Sequence, residues 1–181
     1  TSACRSASDL SRRPPIAGVM SDSPTVVVPE YPMLDVERYR EVLSAVDARV
    51  VVADLGTAGA LVDAVREHGA EAAVTDVGTP VPAEALDRMP GLRVVARSAV
   101  GVANSDVEAA RERDVEVVYA PDYCVSEVAT HALSLLLACV RAVPEYDRAV
   151  HAGDWPRRPP SRDLFRFEGT LGLLAFGRIA R

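Results

Sequence analysis

Short runs rich in β-branched residues recur at Thr25–Pro29, Arg49–Ala53, Ala72–Thr75, Arg93–Arg97 and Val115–Tyr119, and a helical stretch fills each gap between them. The stretches Val36–Val46, Thr57–His68, Ala83–Met89 and Ser105–Arg113 repeat their apolar residues at intervals of three and four, as Val36, Tyr39, Val42, Leu43 and Val46 do. The runs are short and continuously apolar, so they are expected to be fully buried strands. Strand and helix in alternation point to right-handed βαβ crossovers and a parallel sheet covered on both faces. Five strands predict a flavodoxin-like doubly wound sheet over residues 25–120. Local punctuation agrees: Pro82 stands where a first-turn proline is tolerated, and Ser105 or Asp106 offers a cap to the fourth helix.

After Pro121-Asp122-Tyr123 the rhythm changes. A longer apolar helix is expected over Val125–Arg141, carried by Val128, Ala132, Leu133, Leu136, Leu137 and Val140, and Pro144 restarts a second helix toward His151. Residues 153–160 read as an irregular loop, and Thr170–Phe176 as one more buried strand. At the other end, Thr1–Val19 is Ser- and Arg-rich with Pro14–Pro15 and no hydrophobic segment of the kind a secretory signal needs. Residues 1–24 are therefore expected to be a disordered extension, with Met20 as the natural start. The organisation predicted is 1–24 extension, 25–120 first domain and 121–181 the opening of a second, truncated one.

Composition narrows the chemistry. The chain of 181 residues is 49% hydrophobic with net charge −6, enough for a real core. All 20 of its basic residues are Arg. Without Lys there is no Schiff base, no P-loop and no kinase-type phosphate contact. No basic block marks a nucleic-acid footprint, and no apolar run approaches the ~18 residues of a membrane span. Cys4, Cys124 and Cys139 are odd in number and widely spaced, which suits free thiols in a reducing cytoplasm. Cys124, His131 and Cys139 lack the paired spacing that holds zinc and read as small buried thiols and a helix-face histidine.

The last predicted strand runs into Leu171-Gly-Leu-Leu-Ala175-Phe-Gly177-Arg-Ile-Ala180, which matches the dinucleotide fingerprint G-x-G-x-x-G/A with Ala175 in the first glycine position. In that motif the first glycine makes the tight turn and the second lets the backbone approach a pyrophosphate. A helix starting at Gly177–Arg178 would aim its N–H groups at phosphate.

With its surroundings, this stretch resembles the D-isomer-specific 2-hydroxyacid dehydrogenases, the family of glycerate, phosphoglycerate and formate dehydrogenases and the C-terminal-binding-protein corepressors. The resemblance covers about 25–181. It is carried by Leu92-Arg-Val-Val-Ala-Arg-Ser-Ala-Val100-Gly101-Val-Ala-Asn104, Ala109-Ala110 with Val115, Ala120-Pro121, Glu127-Val-Ala-Thr-His131-Ala-Leu, Arg141, Gly153-Asp-Trp155 and Thr170–Ile179.

The resemblance implies a flavodoxin-like substrate domain followed by the beginning of an NAD-binding Rossmann domain, with NADP not excluded. It implies a small 2-hydroxy or 2-oxo acid as substrate and a homodimer built on the 125–141 helix. Carried over by position, the main chain of Val100 and Gly101 meets the substrate carboxylate. Val100 also lies near the nicotinamide, and Ala175, Gly177, Arg178 and Ile179 face the cofactor pyrophosphate. The family's catalytic Arg, Glu and His fall beyond this sequence, so the resemblance assigns no catalytic residue here and implies an inactive fragment that binds cofactor weakly. Three positions depart from the family pattern: Ala103 replaces an acidic residue, and Asp114 and Ala175 replace glycines. Two other functions fit such a fold, a corepressor-like interaction module and a flavin binder. The Pro29–Met33 loop lacks the Ser/Thr/Gly cradle that FMN needs.

Overall fold

The computed structural model describes the backbone of Cys4–Ser6 and residues 21–30, 35–157 and 170–181. They divide into two compact units, Thr1–Tyr123 and Cys124–Arg181.

The first unit holds six parallel strands, β1 (Cys4–Ser6), β2 (Thr25–Pro29), β3 (Arg49–Ala53), β4 (Ala72–Thr75), β5 (Val94–Arg97) and β6 (Glu116–Tyr119). Their spatial order is β1-β6-β5-β4-β2-β3. Leaving β1 aside, this is the flavodoxin-like order, with its switch point at β2, which pairs with β3 on one side and β4 on the other. Four helices connect the strands: α1 (Val36–Leu43, extended by a 3-10 turn to Val46), α2 (Ala58–His68), α3 (Ala83–Asp87) and α4 (Val107–Glu112).

Side chains alternate across the sheet as a period of two requires. Val51, Val27, Ala73, Val95 and Val117 stand in register as one row across five strands. That row packs under Leu61, Val62 and Val65 of α2, Ala85 and Leu86 of α3, and Ala109 and Ala110 of α4. Val26, Val28, Ala72 and Val74 point the other way and meet Tyr39 and Leu43 of α1. The chain grows in one direction from β2 to β3 and in the opposite direction thereafter, so crossovers of one hand place α1 on one face and α2–α4 on the other.

Several expectations need correction. Strand β3 is an edge strand with Arg49 and Val52 exposed, so it is not buried on both faces. Within the first unit, the face carrying Val26 and Val28 is covered by α1 alone among the described residues, and α1 itself has no buried residue. Of the extension expected to be disordered, Cys4–Ser6 instead pairs with β6, Cys4 opposite Val117, because β6 otherwise presents unpaired backbone groups. Ser21 is also held, its backbone N–H donating to the Glu71 carboxylate at 2.8 Å. The rest of 1–20 lies outside the described residues, as does most of the Pro29–Met33 loop.

The second unit consists of α5 (Val125–Val140) and α6 (Val143–His151), bent by 64° at the break between them. Ala142 at the break has φ 51° and is fully buried, and Pro144 stands in the first turn of α6. No other residue of either helix is buried; Cys124 is half-buried, while His131 and Cys139 are exposed, so the expected buried-thiol environment is not found. No single described helix is long and apolar enough to cross a membrane, although α5 and α6 together pass by length and composition.

The expected strand over Thr170–Phe176 does not form, and Leu171, Leu173, Leu174 and Phe176 are more than half exposed. A strand needs a neighbour for its N–H and C=O groups, and no described segment pairs with this one. The helix expected from Gly177 is a turn over 178–180.

Candidate active site

In open parallel α/β sheets ligands gather outside the carboxyl ends of the strands. In the first unit those ends carry the loop 76–81 after β4, the loop 98–106 after β5, and Ala120–Tyr123 after β6. Thr75 and Arg97 stand opposite each other at the last register position of β4 and β5, on the face that α2–α4 cover. Both are buried, as is Thr79.

The loop after β4 is shaped by Asp76, whose Oδ1 accepts from the backbone N–H of Gly78 at 2.7 Å and of Thr79 at 3.1 Å, and from the Thr79 hydroxyl at 3.2 Å. Arg97 reaches across from β5 into that loop. Its Nη1 donates to the Asp76 carbonyl at 2.6 Å, and to Thr75 Oγ1 and the Thr79 carbonyl at 3.3 Å each. Asn104 closes the other side, its Nδ2 donating to the carbonyls of Val77 at 2.9 Å and Thr79 at 3.0 Å. The main chains join as well: Ser98 N–H donates to Thr75, Val81 N–H to Asn104, and Asp106 N–H to Val81. Burial lowers the Arg97 pKa from its ordinary value, and the Asp76 carboxylate pulls it back up. Arg97 stays a cation, since arginine starts far above neutrality.

Val100 and Gly101 sit at the exposed tip of the loop after β5, Val100 about half exposed. The N–H groups of Val100, Gly101 and Val102 bond to no acceptor among the described residues. A Cβ built on Gly101 would meet nothing within 4 Å, so this glycine leaves open space at the tip. Ala175, Gly177, Arg178 and Ile179 belong to the second unit and are all exposed. Ala175 takes φ 72°, and a Cβ on Gly177 would also meet open space. The fingerprint residues therefore keep a tight turn and an uncrowded second glycine. Residues 170–181 form no strand or helix around them.

Sequence reading named Val100 and Gly101 but gave no role to Arg97 or Asn104 behind them. The signal was there: in Val95-Ala96-Arg97 the arginine falls in phase with an inward valine, where alternation demands a buried residue. A cleft of about 570 Å³ opens elsewhere, around Val65, Gly69, Glu71 and Met89, beside residues that precede β4 and β5. That is the amino edge of the sheet, away from the loops that position ligands in such folds. Among the described residues no cluster of His, Cys, Asp and Glu could hold a metal ion.

A parallel doubly wound sheet flanked by helices on its faces defines an α/β domain of flavodoxin-like order. The particular family follows from comparison. The catalytic-domain profile of the D-isomer specific 2-hydroxyacid dehydrogenases matches residues 33–173, and the chain belongs to that family. It is 41% identical over 112 residues to a D-3-phosphoglycerate dehydrogenase of Mycobacterium leprae, covering 62% of this chain and 21% of that protein. It is 37% identical over 117 residues to a glyoxylate reductase of Pyrococcus furiosus, covering 61% of this chain and 35% of the relative. Among solved structures, an NAD-binding D-isomer specific 2-hydroxyacid dehydrogenase from Polaromonas sp. JS6 66 superposes with a TM-score of 0.62 at 26% identity, over 88% of this chain and 50% of the other. The chain thus spans about half the length of that structure and a fifth to a third of the two curated relatives.

Proposed function

We propose that the whole protein is an NAD-dependent oxidoreductase that moves a hydride between nicotinamide and C2 of a small D-2-hydroxy or 2-oxo acid, and that this chain supplies its substrate-binding part. Residues 25–120 are read as the substrate domain and 121–181 as the opening of the nucleotide domain. The observation that carries the reading is the exposed loop at the carboxyl edge of β5, where the N–H groups from Ala99 to Asn104, Val100, Gly101 and Val102 among them, have no acceptor among the described residues. Main-chain N–H groups with no internal acceptor are free to donate to a carboxylate, which needs no basic side chain at the surface.

Nicotinamide supplies the hydride, and Val100 is the described residue assigned to its vicinity. Ala175, Gly177, Arg178 and Ile179 are the pyrophosphate candidates, and the missing strand-to-helix framework predicts weak cofactor binding by this chain. No described residue is assigned as the acid–base partner that reduction of a carbonyl requires, so the chain by itself is expected to turn nothing over. A reducing cytoplasm suits the Cys124 and Cys139 thiols, and α5 is the expected dimer element.

The test is a titration of the ¹⁵N-labelled chain with sodium glyoxylate, with sodium chloride at equal ionic strength as control. Saturable shifts of the Val100, Gly101 and Val102 amides are expected with glyoxylate only, while NADH with glyoxylate, hydroxypyruvate or pyruvate stays at the no-protein rate. Unmoved amides at this loop would sink the substrate-binding reading. NADH consumption above the blank would sink the assignment of chemistry outside this chain.

A further inference from the structure

Resting on the reading of Val100–Val102 as a carboxylate receptor, we propose that Arg97 and Asn104 are its positioning residues: together they clamp the loop after β5 to the loop after β4 and hold the three N–H groups in one orientation. Neither touches the ligand. Arg97 is 4% exposed, and its guanidinium is occupied by oxygens of Thr75, Asp76 and Thr79.

Stability alone gives little reason for a buried guanidinium here. Moving a cation out of water is costly, and an apolar side chain of similar volume is often as stable or more so in such a position. What the cation does, and an apolar residue cannot, is gather oxygens of β4 and of the loop after it onto one nitrogen, Nη1. Asp76 has already bent that loop by accepting from Gly78 and Thr79, so the carbonyls of Asp76, Val77 and Thr79 converge and need donors. Arg97 supplies donors from one end of the 98–104 segment and Asn104 from the other. The receptor N–H groups lie between these two anchors in sequence. Pinning both ends to the same rigid turn limits how far they can reorient, which is the form preorganisation takes in a loop site.

Two side-chain atoms sharpen the argument. Among the described residues, Arg97 Nε and Asn104 Oδ1 are buried and have no hydrogen-bond partner. Each residue therefore spends its bonding on the loop after β4 and leaves one buried polar atom unsatisfied, a cost that a purely stabilising design avoids.

The experiment uses the ¹⁵N-labelled chain and the variants Arg97→Lys and Asn104→Asp. Lysine keeps the charge on a flexible stem that does not fix its donor where the rigid guanidinium fixes Nη1, and aspartate keeps the shape but faces carbonyls with no donor. In ligand-free protein, the amide order parameters of Val100–Val102 are expected to fall from about 0.85 to below about 0.6 in either variant. In the same samples the glyoxylate Kd read at those amides is expected to rise about ten-fold, at a temperature where circular dichroism shows both variants folded. Variants that melt earlier yet keep the rigid loop and the wild-type Kd would overturn the proposal and leave a structural role only. If Arg97→Lys does not fold, Asn104→Asp decides the matter, because Asn104 is only partly buried. Glyoxylate without effect on the wild-type amides overturns the receptor reading and this proposal with it. Wild-type binding with unaffected variants overturns this proposal alone.

Discussion

Three helical segments of the first unit end in one hydrogen-bond pattern, but with different residues at the critical position. After α2, Ala70 N–H donates to Val65 and Gly69 N–H to Arg66, with Gly69 at φ 60°. After α4, Val115 donates to Ala110 and Asp114 to Arg111, with Asp114 at φ 54°; after α1, Ala48 donates to Leu43 and Asp47 to Ser44, with Asp47 at φ 50°. This is the Schellman arrangement, whose left-handed residue is most easily glycine. Aspartate tolerates it better than most residues but still carries a Cβ. Asp114→Gly and Asp47→Gly are each expected to raise stability by about 0.5–1 kcal/mol in urea denaturation, and Gly69→Ala to lower it by about 1 kcal/mol. Lower stability in both aspartate variants would show that the side chains contribute more than the strain costs. Asp114 and Ala175 were the two positions where sequence comparison expected glycine, and both adopt the positive φ that glycine favours.

At the scale of elements, caps and cores carry separable amounts of energy. Asp106 opens α4, its carboxylate accepting from Ala109 N–H at 2.9 Å. Asp106→Ala should cost about 1 kcal/mol. Leu61 is fully buried on α2 beneath the Val27–Val95 row, and Leu61→Ala should cost about 2–5 kcal/mol, enough to abolish cooperative thermal unfolding of the first unit. The strand runs of β2–β6 were legible because each is short, β-branched and bounded by a helix, and these five strands begin within one residue of those expected. Exposure was less legible, since Arg49–Ala53 is as rich in valine as Thr25–Pro29 and only pairing order makes the first an edge and the second a centre. Thr170–Phe176 has the same local pattern as a strand, yet pairing is a property of two segments and no single one encodes its partner. Val100 and Gly101 could be placed by resemblance. Arg97 could not, because its importance comes from the Asp76 turn lying beside it across the sheet.

For the whole molecule, the second unit governs solution behaviour. Val128, Leu133, Leu135 and Leu137 of α5 are all more than 40% exposed, far more apolar surface than a monomer's helix usually leaves in water. Light scattering at tens of micromolar is expected to report dimers or larger species, and Leu133→Glu with Leu137→Glu to shift them toward monomer without changing the first unit's melt. A clean monomer in the unmodified chain would show that this surface is not adhesive. The sheet order also imposes a timetable on synthesis. As the chain leaves the ribosome, β2 can be flanked first by β3 and then by β4, after which β5 and β6 each add to an edge already in place. The exception is Cys4–Ser6, which comes before β2 in the chain but pairs with Val117–Tyr119, so this segment must wait for nearly the whole first unit before it has a strand to bond to.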